Sequence, residues 1–361
     1  MPVLPPVGQV FLIGFHGTDL TSEQIAWLQE LRPGGVILFA RNLESPLQVA
    51  ALTAALQTHV GDEPLLIAID QEGGRVSRLP KGFTIFPAAA TIAACGSLDV
   101  AYAAAAVTAR ELKAVGINMN LAPVLDVNTN PENPVIGDRA FGSDPEQVSR
   151  YGLATMEGLH DNGVVACGKH FPGHGDTLLD SHHALPTVGL SRERLETIES
   201  HPFRQAIARG LEAIMSAHVV YPGFDPMQPA TLSSILLTEV LREQLGFRGV
   251  VLTDDLEMRA IIDHFSIEEA AVRALQAGAD MILICHDSAR QVAAFRAVQQ
   301  ALEAGELDPG RIQASIARIQ ALKKRFRISR STCERAYVSQ VVGAPRHREL
   351  VEKIKKVAGM A

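Results

Sequence analysis

Apolar residues in this chain gather into eight short runs, each followed by a polar or glycine-rich loop and then by a stretch with helical spacing. The runs lie at 10–15, 35–39, 65–70, 117–126, 164–170, 213–219, 249–254 and 280–285. Unbroken Val, Ile and Leu without polar alternation suits strands buried on both faces, as in a parallel sheet. Eight of them alternating with helices predict an α/β fold of the (β/α)8 TIM type, a single barrel with a C-terminal helical extension. A doubly wound open sheet is the rival. If it bound a dinucleotide it would carry a glycine fingerprint after its first strand, and no GxGxxG stands there.

Helix signals fill the gaps. Thr21-x-x-Gln24 and Ser266-x-x-Glu269 have the form of capping boxes, and Ser45-Pro46 offers an N-cap followed by a proline at the first helical position. Residues 97–115 are alanine-rich, and 145–160 and 288–304 repeat apolar residues every three or four positions. The pattern ends near Phe326, so the barrel is assigned to 1–327 and a tail to 328–361. Within the tail, Leu350, Val351, Ile354 and Val357 would form one apolar stripe on a helix. A solvated terminal helix is the favoured reading over one that packs back on the barrel.

Composition narrows the class. With 361 residues, 47% hydrophobic and 20% charged, the chain has material for a large core and is no collagen, coiled coil or disordered tail. A formal net charge of −7 creates no basic field, so nucleic acid is not an expected partner. Cys95, Cys167, Cys285 and Cys333 are far apart with no CxxC pair, which fits reduced thiols in a cytosolic protein. The opening MPVLPPVGQVFLIGF lacks a basic leader and reads as a first core strand, and no apolar stretch is long enough for a membrane span.

Barrel enzymes carry their chemistry at the C-terminal ends of the strands. Polar residues collect there in this sequence: Asp70-Gln71-Glu72 at the end of the third run, Asp126 and later Arg139 at and beyond the end of the fourth, Lys169-His170 at the end of the fifth, His218 at the end of the sixth, Asp254-Asp255 at the end of the seventh. Any one of them could be a cap or a satisfied core group, but convergence on one mouth favours a site. The loop after the fifth run is the richest, with His170, His174, His182 and His183 close together. Zinc motifs show tight pairs such as HExxH or CxxC, and neither occurs. A mobile loop carrying a proton-transfer group fits better, with Asp180 able to hydrogen-bond and orient His182 across one serine. Glu72 and Asp126 suit either support of the site or pairing with an arginine. His218 suits either the floor of the site or a bonded core histidine, and His174 and His183 are assigned to loop structure.

The segments IDQEGGRVSRL, NMNLAPVLDVNTNPENPVIGDRAFG, KHFPGHGDTLLDSH, MSAHVVYPGFD, PATLS and LTDDLEM together resemble glycoside hydrolase family 3, specifically its bacterial β-N-acetylhexosaminidases. The likeness runs from the first strand to the helix after the eighth. It implies that Asp254 is a nucleophile, His182 a general acid/base and Asp180 its partner. It also implies that Asp70, Arg78, Arg139, Lys169 and His170 hold the sugar hydroxyls and the acetamido group. The family's reaction would then be a double displacement with retained configuration. Larger relatives have a second α/β domain; this chain is too short for one, so its acid/base must come from a barrel loop. The implied substrate is a small muropeptide-derived sugar with a terminal β-linked N-acetylglucosamine on 1,6-anhydro-N-acetylmuramic acid, cleaved during cell-wall recycling. No metal, no organic cofactor, a monomer and a cytoplasmic location complete the expectation, with a family 3 β-glucosidase or a β-N-acetylglucosaminide phosphorylase as rivals and a non-catalytic sugar-binding barrel further off.

Overall fold

The computed structural model describes residues 5–61, 63–330 and 334–359. Ten strands form: β1 (Phe11–Ile13), β2 (Gly35–Leu38), β3 (Leu66–Ile69), β4 (Met119–Asn120), β5 (Val165–Phe171), β6 (Ala213–Ser216), β7 (Val220–Tyr221), β8 (Asp225–Pro229), β9 (Val250–Asp255) and β10 (Met281–Ile284). Eight of them close into a barrel in the order β1-β10-β9-β6-β5-β4-β3-β2. Every neighbouring pair is parallel. Each of the eight apolar runs holds one barrel strand, and their side chains are buried almost throughout, which is why the runs show no alternation. The fold is the expected TIM-type barrel.

Most of the runs are longer than the strands they contain, the fourth by the widest margin. Only Met119 and Asn120 of 117–126 join the ladder, because Pro123 has no N–H to give and the chain turns there into a loop that returns to β5 through Leu125 N–H bonded to the Lys169 carbonyl. After β6 the chain makes a small antiparallel hairpin, β7 with β8, which lies outside the barrel. The capping signals are realised. Thr21 and Gln24 make a reciprocal box, Ser45 caps the helix Pro46–His59, and Ser266 accepts the Glu269 N–H. The alanines of the helix Leu98–Ala114 allow close approach of the helix Pro145–Asp161, where a Cβ on Gly158 would stand 2.5 Å from the Tyr102 carbonyl.

The C-terminal helix Pro345–Val357 does not float in solvent as expected. Val351 and Ile354 are buried in a cluster with Ala101, Ala104 and Phe86, while Val357 stays 66% exposed. A buried polar knot fixes the packing: Glu111 accepts hydrogen bonds from Thr84 N–H, Thr84 Oγ1, Gly343 N–H and His347 Nδ1. The apolar stripe was legible, but its partner, the alanine face of a helix some 240 positions earlier in the chain (|i−j| = 236 for Glu111 and His347), was not. Cys95, Cys167 and Cys285 are free thiols, and Cys333 lies outside the described residues. Among the described residues no helix is long and apolar enough to cross a membrane.

Candidate active site

The strand ends set the floor of a cleft at the C-terminal mouth of the barrel. Asp70 follows β3, Lys169 and His170 sit within β5 across a cis peptide bond, and Asp254 stands near the end of β9. Loops bring in the rest: Arg78 from the turn after β3, Arg139 from the short 3-10 turn Gly137–Arg139, and Asp180 and His182 from the loop after β5. All eight line one cavity of about 160 Å³. A neighbouring lobe of about 260 Å³ shares Asp70, Arg78, His182, Met215 and Asp254 with it, and adds Phe39, Leu121, Met258 and Leu283. The first lobe is thus lined mainly by charges, while the second mixes apolar side chains with Asp255, Glu257, Arg259 and His286, and Asp254 and His182 line both.

The charged lobe is held by a buried alternation of signs. Lys169 Nζ lies 2.7 Å from Asp70 Oδ1 and 2.6 Å from Glu72 Oε1. Arg139 grips Glu72 with two bonds of 2.8 Å, Nε to Oε2 and Nη2 to Oε1. Burial alone would raise the Glu72 carboxyl, but Lys169 and Arg139 hold it far below the usual carboxylate range. Burial works equally against the Lys169 ammonium, and Asp70 and Glu72 overcome it, lifting its pKa above the ordinary lysine value. Arg139 is thereby fixed in charge and orientation by Glu72, and the Asp70 side chain is held in place by Lys169, before any ligand arrives. Glu72, open between two roles in the sequence, fills both at once: it pairs with an arginine and in doing so sets the site.

Behind His170 lies a second arrangement the sequence left open. Asp126 Oδ2 is 2.7 Å from His170 Nδ1, and Oδ1 accepts the backbone N–H groups of His170 at 3.1 Å and His174 at 2.7 Å. Burial would raise the Asp126 carboxyl, and the His170 imidazole and the bonds from His174 reverse that, leaving it depressed. Accepting the hydrogen bond of the Nδ1–H, Asp126 leaves Nε2 of His170 facing Arg139 Nη2, 3.5 Å away. Among the described residues no arginine forms an ion pair with Asp126, and its hydrogen bonds are those of support to His170 and the loop base.

Asp254 is partly buried, and its Oδ1 accepts the Asp255 N–H at 2.8 Å. Burial would raise its pKa. The imidazoles of His218, His170 and His182, with the bond from the Asp255 N–H, bring it below the ordinary aspartate value. Asp255 lines only the second lobe: its Oδ2 lies 3.3 Å from His286 Nε2 and its carbonyl is bonded by His218 Nε2 at 2.9 Å. His218, fully buried, has its Nδ1 2.8 Å from Thr231 Oγ1, so it is both a satisfied core histidine and the floor under the β9 strand end.

On the opposite side Asp180 Oδ1 accepts both the backbone N–H of His182 at 2.8 Å and its ring Nδ1–H at 2.7 Å. This fixes the tautomer so that Nε2 is the ring nitrogen free to take or give a proton. Burial of Asp180 would raise its carboxyl, and the His182 bonds outweigh this and depress it. The base of the loop is tied down where glycine is required: a Cβ on Gly175 would lie 1.7 Å from the Val127 carbonyl, so no larger residue fits that approach. His183 is 3.9 Å from Asp180 with a side chain 78% exposed and belongs to the loop surface. Among the described residues no group of three or more His, Cys, Asp or Glu is arranged to hold a metal ion. The arrangement can fix several polar oxygens of a ligand between rigid charges while a carboxylate and an imidazole act on a bond at the border of the two lobes.

Comparison with known proteins agrees with that reading of the mouth. Residues 6–322 match the glycosyl hydrolase family 3 N-terminal domain. A β-hexosaminidase of Nitrosomonas eutropha is 40% identical over 337 residues, covering 91% of this chain and 96% of its own length. Among solved structures, a family 3 β-N-acetylglucosaminidase from Paenibacillus superposes with a TM-score of 0.93 at 45% identity, covering 99% of this chain and 69% of that one. NagZ of Neisseria gonorrhoeae, solved with N-trifluoroacetyl-D-glucosamine, gives 0.79 at 34% identity and covers 99% and 100% of the two chains. With a match across nearly the whole barrel and a charged cleft at its catalytic end, the chain belongs to glycosyl hydrolase family 3 and is a glycoside hydrolase.

Proposed function

We propose that this protein is an exo-acting, retaining β-N-acetylhexosaminidase. Its substrate is a terminal β-linked N-acetylglucosamine on 1,6-anhydro-N-acetylmuramic acid or its peptides, and its place is cytoplasmic cell-wall recycling as a monomer. Residues 1–327 act as the catalytic barrel and 328–361 as its extension. The names of the relatives support the sugar. The observation that carries the chemistry is the Asp180–His182 pair, 2.7 Å apart, sharing a cleft with Asp254 and with the charges of Asp70, Arg139 and Lys169.

In this scheme Asp254, kept anionic, attacks the anomeric carbon as the glycosidic bond lengthens. His182 Nε2 gives its proton to the leaving oxygen, and Asp180 stabilises the imidazolium before that transfer. The neutral imidazole then takes a proton from water, which attacks the glycosyl ester and frees Asp254. Asp70, a carboxylate with accepting oxygens, Lys169, Arg139 and Arg78, with fixed donors, and the imidazole of His170 hold the hydroxyls and the acetamido group. The reaction needs no metal or organic cofactor for these steps.

An aryl N-acetyl-β-glucosaminide assay tests the reading. Asp254→Asn, which keeps the shape and removes the charge, is expected to cut kcat by about a thousandfold or more, with the melting curve little changed. Turnover near the wild-type value overturns the nucleophile assignment. One neighbour is described as a β-glucoside phosphorylase. Repeating the assay with added phosphate and following sugar 1-phosphate therefore separates hydrolysis from phosphorolysis.

A further inference from the structure

The proposed acid/base pair sits on a loop tip that hydrophobic burial does not hold. Leu178 and Leu179 are 67% and 51% exposed, and between Thr177 and Pro186 the one buried residue is Ser181, 2% exposed, which lies between Asp180 and His182. Ser181 reaches two places. Its Oγ is 3.1 Å from His174 Nε2 at the base of the loop. Its carbonyl accepts the N–H of Ala260 at 3.3 Å, in the short helix Arg259–Ile262 that follows β9. One residue therefore links the dyad both to its own loop base and to the segment leaving the strand of Asp254.

His174 is itself immobilised. Its N–H donates to Asp126 at 2.7 Å, its Nδ1 is 2.9 Å from Thr177 Oγ1, and its carbonyl accepts Asn133 Nδ2 at 2.9 Å. Burial pushes its pKa down to about 4, so across ordinary conditions the ring is neutral. A neutral imidazole accepts at one nitrogen and donates at the other, and the Thr177 and Ser181 hydroxyls can rotate to complete either tautomer. The same Asp126 carboxylate holds His170, so the latch and the sugar-binding imidazole share one rigid support.

We propose that Ser181 is the positioning residue of the dyad: seated on His174 and bonded to Ala260, it holds His182 over the nucleophile's strand so that the proton donor is in place as the glycosidic bond breaks. This rests on the reading of His182 as the general acid. Ser181 does not react; without its hydroxyl the tip keeps the Asp180–His182 bond but loses the anchor that aims it.

The leaving group separates aiming from folding. A 2,4-dinitrophenyl group departs without a proton, whereas a phenyl group needs one. Ser181→Ala, Ser181→Thr and His182→Ala are compared with wild type by kcat/KM on phenyl and 2,4-dinitrophenyl N-acetyl-β-glucosaminides, with thermal melts as the folding control. Ser181→Ala is expected to lose about tenfold or more on the phenyl substrate and no more than about twofold on the dinitrophenyl one, Ser181→Thr recovering most of the loss. His182→Ala should show the same dependence more steeply; if it does not, the acid/base reading itself fails. If His182→Ala shows it and Ser181→Ala is unchanged on both substrates or falls equally on both, the positioning role is overturned. Should Ser181→Ala not fold, His174→Gln, whose amide can replace the Nε2 contact, is expected to retain phenyl-substrate activity while His174→Leu loses it, and equal activities of those two variants overturn the latch.

Discussion

Glu72 shows how much of this site is decided by single charges. Its carboxylate lies between Lys169 of β5 and Arg139 of the loop after β4, with a side chain only 7% exposed. Removing one partner of a buried charge cluster leaves the others unpaired, which typically costs about 3–5 kcal/mol. Glu72→Gln is accordingly expected to lower the unfolding free energy by that order in urea titrations and to raise KM, since Lys169 and Arg139 lose their common anchor. An unchanged urea midpoint contradicts the charge network described for the site. Such residues are hard to see in a sequence. Asp254 and the Asp180–His182 spacing were legible because they sit in long motifs or within three positions of one another. Glu72 and Asp126 stood out as polar strand ends with two roles open, and Ser181 did not stand out, because their partners are distant in the chain or set by the fold and a single sequence holds no record of distance. The Asp-Ser-His spacing showed that Asp180 could meet His182; nothing in it showed that the serine between them turns inward.

At the scale of elements the barrel strands were the most readable feature. Residues buried on both faces must be apolar at every position, so each strand announces itself as an unbroken run. Where the reading failed, a polar or proline-containing segment was doing structural work. Pro123 ended the ladder of β4 early, and β8, with Pro226 and Pro229 in its sequence, shows no apolar run that marks it as a strand although it pairs with β7. The C-terminal helix failed for a different reason: four apolar residues predict a stripe but not what covers it. The cover is an alanine face, small side chains that leave room for a second helix, and the Glu111–His347 bond at 2.7 Å fixes its register. The catalytic loop is the opposite case, an element with exposed leucines at its tip and polar anchors at its base. Its placement depends on a few hydrogen bonds rather than on area buried.

Across the whole molecule the net charge of −7 gave no hint of the site, because acids and bases are nearly matched within the cleft. Charge does enter through pH. Burial lowers both His160, with Arg325 adding to the effect, and His174 to about 4. In the unfolded chain an imidazole titrates near 6.5, so between these values the unfolded state binds more protons than the native one, and stability falls as the pH drops. The loss begins near pH 6.5, is complete below about 4, and is on the order of 3 kcal/mol at most for each ring. Urea midpoints measured at pH 7, 5.5 and 4 should fall steadily, and His160→Phe should flatten the fall; a midpoint constant from pH 7 to 4 contradicts the burial of these rings as neutral species. The central claim, that a barrel-end carboxylate forms a glycosyl ester, has a more direct test. An N-acetylglucosaminyl fluoride carrying an additional ring fluorine reacts quickly in the first step and slowly in the second, so the intermediate accumulates and can be located by mass in a peptide digest. The account predicts one sugar on the peptide containing Asp254, lost again as activity returns; turnover of the reagent without any adduct, or an adduct on Asp255 instead, would contradict it.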